Sequence, residues 1–232
     1  MAFQAGCINA GGFLACHRFV THTTGFATWF GSEMAQGHLM AAAGMLSVPL
    51  FFLFGSMISG FFVDRKLALG QAPRYDAMFA GITAALIFIV ISGIRGDFGT
   101  FGAPLDLPYN YTLLALLCLA SGMQNATVTS ASGSVVRTTH LTGITTDLGI
   151  GLVRVFHAGY SPLVRGKEAR ANWIRAGLIV SFALGSTAAA FLFYHFQYLG
   201  FIAPALISFT LTLLSVRQRR KSSLGVMDAR TS

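Results

Sequence analysis

The residues best suited to chemistry in this sequence come as two copies of one polar string. The segment from Thr21 to Gly31 aligns without a gap on the segment from Thr139 to Gly149, and both read T-H-x-T-G-x-x-T-x-x-G, six identities at an offset of 118 residues. Upstream, Gly6-x-x-Asn9-Ala10 matches Gly122-x-x-Asn125-Ala126 at an offset of 116. Downstream, Gly55-Ser56 is matched by Gly185-Ser186. The order is the same in both halves, so duplication of one unit explains it better than chance likeness between apolar segments.

Hydroxyls, amides and imidazoles in this pattern bind rather than cut. A Thr directly before a Gly at a helix start is good capping chemistry, since its hydroxyl accepts a backbone N–H, while the Gly lets the chain turn or another helix approach. Each copy therefore reads as a broken first helix followed by a half-helix whose N-terminus points into the protein. Such an N-terminus carries free N–H groups and partial positive charge, which suits an anion or a carbonyl-type solute. The candidate solute-binding residues are Asn9, Thr24, Gly25, Gln124, Asn125, Thr142 and Gly143, with His22 and His140 as gating or supporting groups. Two readings stay open. Asn9 and Asn125 either touch solute or bridge helices by hydrogen bonds. The histidines either cap and orient or relay protons, which an ordinary pKa of about 6.5 permits.

No catalytic constellation accompanies these strings. There is no G-x-S-x-G, no G-K-S/T phosphate loop, no H-E-x-x-H and no G-x-G-x-x-G in a strand–helix setting, so no enzyme is expected. No cluster has metal-ligand spacing. Cys7, Cys16 and Cys118 read as small packing residues, and neither metal nor cofactor is expected.

The elements that must position the motifs follow from composition. Of 232 residues, 54% are hydrophobic and only 10% charged, against roughly 25% charged in a soluble domain. Mean hydropathy is +0.64. This excludes a soluble enzyme, a disordered chain and a nucleic-acid binder, and leaves an integral membrane protein. A crossing helix needs about 20 apolar residues. Charge-free windows run over 1–17, 41–63 (23 residues), 77–94 (18 residues), 107–136 (30 residues) and 176–216 (41 residues). The last is long enough for two crossings with a turn near His195, Gln197 and Gly200. Six spans are expected, near 1–17, 41–63, 76–94, 110–130, 174–195 and 198–216. The stretches 19–38 and 139–157 are moderately apolar and fit an interfacial helix, a re-entrant half-helix or a short extra span. Glu33 and Asp147 within them are expected near the membrane interfaces.

Orientation follows from Lys and Arg. With the N-terminus inside, the inner segments 64–75, 131–175 and the tail after Val216 hold fourteen of the sixteen basic residues, leaving Arg18 and Arg95 outside. The outer loop between spans three and four carries Asp97 and Asp106 instead. The net charge of +8 is thus a topology signal with a weak attraction to anionic lipid, and both termini are expected in the cytoplasm. Three spans per half is an odd number, so the second half enters from the opposite face. That is an inverted-topology repeat, the plan of many secondary transporters. The expected divisions are 1–105 for the first repeat, 106–216 for the second and 217–232 for a basic tail. Only five residues precede Gly6, far fewer than the apolar run before Gly122, which implies a late start site or a natural truncation. No basic n-region of a secretory signal is seen.

With these motifs, the chain resembles the YoaK-type family of bacterial inner-membrane proteins, a domain of unknown function. The resemblance rests on Ala5-Gly6-Cys7-Ile8-Asn9-Ala10-Gly11-Gly12-Phe13-Leu14 with His22-Thr23-Thr24-Gly25. It continues through Gly122-Met123-Gln124-Asn125-Ala126 and Val136-Arg137-Thr138-Thr139-His140-Leu141-Thr142-Gly143. It implies a polytopic protein of the bacterial inner membrane and brings no substrate with it. Members often carry Asp where Asn9 stands, and Asn where Phe26 stands. The first departure removes a protonatable group from span one. The expected function is therefore a transporter or channel for a small solute, with its site at the repeat interface near the bilayer midplane. The rival is a scaffold or sensor whose polar motifs are structural. Expected partners are the lipid bilayer and a small molecule or ion, with a homo-oligomer left open.

Overall fold

The structure, a computed structural model, describes residues 1–104, 107–133 and 140–231. Asp106, Arg137, Thr139 and the rest of the 136–139 string lie outside them. The described residues form an all-helical fold without strands. In chain order the helices are α1 (Ala2–Cys16), α2 (Thr23–Ala35), α3 (Leu39–Ser59), α4 (Arg65–Ala68), α5 (Tyr75–Arg95), α6 (Leu107–Ala131), α7 (Leu141–Phe156), α8 (Pro162–Phe196) and α9 (Ile202–Thr231).

Each boundary has a local cause. The α1 helix ends where His17 takes left-handed dihedrals (φ 54°) and returns its N–H to the Phe13 carbonyl. Gly96, at φ 86°, ends α5 as an αL cap. Ser161 opens α8, its hydroxyl accepting from the Val164 N–H, and Pro162 follows in the first turn, where its missing N–H costs nothing. A π turn over Gly60–Asp64 joins α3 to α4. The turn expected around residues 195–200 is a 3-10 segment, Gln197–Phe201, set off by Gln197 at φ 50°.

Four stretches are long and apolar enough to cross a membrane: Leu39–Ala68, Tyr75–Arg95, Tyr109–Ala131 and Pro162–Lys221, the last holding both α8 and the start of α9. At 1.5 Å per residue, the 35-residue α8 is about 52 Å long, well beyond a hydrocarbon core of about 30 Å. Its first turns carry Arg165, Lys167, Arg170 and Arg175. Leu50, Leu53, Phe54 and Met57 on α3, Phe88, Ile91 and Ile94 on α5, and Leu184 and Phe191 on α8 all face outward. Exposed apolar surface on that scale calls for lipid rather than water.

Inside the bundle, the matched glycines make the closest contacts. An added Cβ at Gly6 would sit 2.1 Å from the Phe182 carbonyl oxygen, and one at Gly185 would sit 2.0 Å from that of Phe3. On the other side of the bundle, Gly122 faces the Phe52 oxygen at 2.1 Å and Gly55 faces that of Leu119 at 2.1 Å. The neighbouring serines repeat the pattern. Ser186 Oγ donates to the Gly6 carbonyl (3.2 Å), and Ser56 Oγ to the Gly122 carbonyl (3.4 Å). So α1 packs on α8 and α6 on α3, backbone against backbone, each pair through one glycine from either half. Residue order makes both pairs parallel: Ser47 bonds Tyr111 and Ser59 bonds Thr127 along α3 and α6. The α5 and α9 helices run antiparallel, with Arg219 of α9 reaching Asp76 at the start of α5 (3.1 Å).

One expectation fails here. The first helix of each half is not broken: α1 and α6 run straight through Gly6–Ala10 and Gly122–Ala126. Those glycines serve close helix approach, and the interruptions come later, in the connections to α2 and α7.

Candidate functional site

The connection after α1 folds back along the helix it has just left. His17 turns the chain, Gly12 leaves room for Val20, whose Cγ1 would lie 2.7 Å from a Cβ there, and Cys118 Sγ donates to the Val20 carbonyl from α6 (3.4 Å). This brings Thr21 to Asn9. The buried Asn9 Oδ1 accepts from the Thr21 backbone N–H (3.3 Å) and from its hydroxyl (2.8 Å). Thr21 Oγ1 also lies 3.2 Å from His22 Nδ1, and Phe19 packs edge-on against the His22 ring. Asn9 thus holds the return segment at mid-helix depth and orients the histidine. Its other side lines a groove of about 450 Å³ between α1 and α8, with Ala10, Phe19, Ser186, Thr187 and Tyr194.

The α2 and α7 helices start from this level. Their cap positions are His22 and His140, with no capping hydrogen bond from either side chain. The expected Thr cap is corrected: Thr24 and Thr142 lie inside the first turn, because His22 already gives its carbonyl to Gly25 N–H (3.2 Å) and His140 gives its own to Ile144 N–H (3.0 Å). The hydroxyls one turn on do the same thing in both copies. Thr28 Oγ1 donates to the Thr24 carbonyl (3.3 Å) and Thr146 Oγ1 to the Thr142 carbonyl (3.0 Å). Thr24, Thr142 and Gly143 are exposed, and no heavy atom lies within 4 Å of where a Cβ would stand on Gly25 or Gly143. These four residues line open space and do not touch Asn9 through any hydrogen bond.

His22 and His140 lie within electrostatic reach of each other. Burial, and after it the charge of His140, hold the His22 pKa below its ordinary value. His22 stands in the connection between helices, outside the four spanning stretches.

Gln124 and Asn125 are buried on α6. Gln124 Nε2 donates to the Met1 carbonyl (2.8 Å). Among the described residues, Gln124 Oε1, Asn125 Oδ1 and Ser121 Oγ have no accessible surface and no partner. Unpaired polar atoms so placed are rare, because each forfeits its hydration. Thr139, which occupies the place of Thr21 in the second copy, lies outside the described residues.

Sequence reasoning passed over three participants. Thr21 was inside the motif but not singled out, and Ser121 carried no local signal. Arg18 was counted only as an outer charge, yet its side chain is buried and its guanidinium sits 3.7 Å from the centroid of the Trp29 ring. No group of three His, Cys, Asp or Glu side chains able to hold a metal occurs among the described residues. The three cysteines are free and buried.

Residues 1–214 match a family model described as "Protein of unknown function (DUF1275)". The chain belongs to that family. No curated protein and no solved structure matches it.

Proposed function

We propose that this DUF1275 protein is a six-span transporter or channel of the bacterial inner membrane, built from two inverted-topology repeats, with a small-solute site where the two T-H-x-T-G motifs meet. The observation that carries it is the reciprocal glycine packing. The first helix of each half rests on the second helix of the other, through Gly6 with Gly185 and Gly122 with Gly55. Parallel α1–α8 and α3–α6 pairs with antiparallel α5–α9 are the directions that six alternating crossings require. In that frame both termini are cytoplasmic, and α2 and α7 rise from mid-depth toward opposite faces, each opening a Thr/Gly face.

Two halves locked by matching contacts around a polar centre are suited to rocking about that centre, which is how inverted-repeat transporters alternate access. Gln124, Asn125, Thr142 and Gly143 from the second half, with Thr24, Gly25 and the pair His22 and His140, are the groups a solute would meet. Asn9 favours a second reading, a scaffold or sensor, because its carbonyl is engaged by Thr21.

Flux in proteoliposomes separates the two. Asn125→Ala and Thr142→Val are expected to abolish uptake of a transported small metabolite or ion while the protein still folds and inserts. Loss of fold in these variants, or no flux across a broad panel of metabolites and ions, contradicts transport and supports the scaffold.

A further inference from the structure

Arg18 is a buried cation without a buried anion. It follows His17 directly, where α1 ends, and keeps only 8% of its surface exposed. Its Nη1 donates to the His17 carbonyl (2.9 Å), and its plane rests on Trp29, 3.7 Å from the ring centroid. Its Nε has no accessible surface and no acceptor. Among the described residues no carboxylate lies within salt-bridge distance of it. Glu33, the carboxylate whose charge acts on Arg18, is bonded to His38 Nδ1 at 3.0 Å.

An arginine can satisfy a helix C-terminus with one N–H and stack on an aromatic with its face. Both are done here with the Nη1 and the π surface. What they leave is the Nε–Nη2 edge, the two parallel N–H groups that match the two oxygens of a carboxylate or phosphate. A desolvated charge whose Nε lacks an acceptor is costly unless a counter-ion comes to it. The duplicated framework does not call for the arrangement, because the second copy has Asp147 where the first has Trp29 and so lacks the aromatic platform.

We propose that Arg18 is an anion-recognition group: its Nε–Nη2 edge takes one small oxyanion, with Trp29 fixing the guanidinium plane. Arg18 stands four residues before His22 in the same connection, so the solute class of the proposed transport is a small oxyanion. The inference rests on that transport reading for the path by which an ion reaches so enclosed a group.

The protein has two tryptophans, Trp29 and Trp173, so Trp173→Phe leaves Trp29 as the sole fluorescent reporter of the Arg18 contact. Purified full-length Trp173→Phe protein is titrated with acetate, inorganic phosphate and chloride. A saturable change in Trp29 emission with acetate or phosphate, and none with chloride, is expected; which of the two responds distinguishes carboxylate from phosphate. Arg18→Gln abolishes the response. Arg18→Lys keeps the charge without the paired edge and, losing one charge-assisted hydrogen bond, weakens it by roughly tenfold or more. If Arg18→Gln does not fold, the lysine variant carries the test. No saturable response to either oxyanion, or undiminished affinity in Arg18→Lys, overturns the proposal. Oxyanion binding without flux in proteoliposomes supports the anion site and removes the transport reading. Flux of an uncharged solute that survives Arg18→Gln does the reverse.

Discussion

Alanine at Gly122 tests the swapped packing of the two halves in one methyl group. The new Cβ would stand 2.1 Å from the Phe52 carbonyl oxygen and 2.9 Å from its carbon. Both are rigid backbone atoms, so no side chain can swing aside. Restoring a normal contact means parting α3 and α6 by roughly 1 Å, and overpacking of that kind costs about 1–3 kcal/mol. The separation also stretches the 3.4 Å bond from Ser56 Oγ to the Gly122 carbonyl, and interhelical bonds in membranes contribute about 0.6 kcal/mol on average. The folded-to-unfolded ratio should fall at least about fivefold. Reversible unfolding of the purified protein in detergent micelles, followed by circular dichroism, measures this. Gly6→Ala should show a loss of the same size, since its Cβ meets the Phe182 oxygen at the same 2.1 Å. The control is Gly143→Ala, which meets nothing within 4 Å and should be neutral or, from helix propensity, up to about 1 kcal/mol stabilising. Gly122→Ala as stable as the wild type, or no more harmful than Gly143→Ala, would refute the reasoning.

Further outcomes follow from the site and the helix ends. Asn9→Ala and Thr21→Val should each destabilise, and their double-mutant cycle should show coupling of about 0.5–1.5 kcal/mol, read from the same unfolding curves. His22 has a folded pKa below its unfolded one, so its protonation favours the unfolded chain; stability should fall as pH drops through about 6.5, and His22→Gln should flatten that slope in a pH series of melting temperatures. Asp76 holds both Arg74 and Arg219, at 3.0 and 3.1 Å; Asp76→Asn should cost about 0.2–1 kcal/mol and raise amide exchange near Arg219 in a hydrogen-exchange experiment.

Much of the fold is legible in the residues because the bilayer imposes simple demands. Charge-free windows locate α1, α3, α5 and α6 to within a few residues. The α8 helix instead starts well before its expected span, at Pro162, and α9 runs well past its own, to Thr231, because helix continues through charged turns that the windows exclude. The parts that stay hidden depend on partners distant in sequence. Gly6 and Gly122 carry only a matched spacing in the sequence, and the backbone of α8 or α3 lying against them makes them places of close approach. The Thr cap is misplaced by two residues because His22, in extended backbone, already supplies the first carbonyl of α2. Arg18 and Trp29 are eleven positions apart across a reversal of the chain, so nothing local marks them as a pair. Asn9 reads from the sequence as bridging or binding, and its bonds to Thr21 tie α1 to the connection that follows it.

The most direct test of the central claim is sided labelling of the two motif helices. Gly25→Cys and Gly143→Cys place reactive thiols where no atom lies within 4 Å, against a background of three buried native cysteines. With a membrane-impermeant maleimide, the account predicts labelling at position 25 from the periplasmic side only and at position 143 from the cytoplasmic side only. Labelling of both from the same side would contradict two inverted halves.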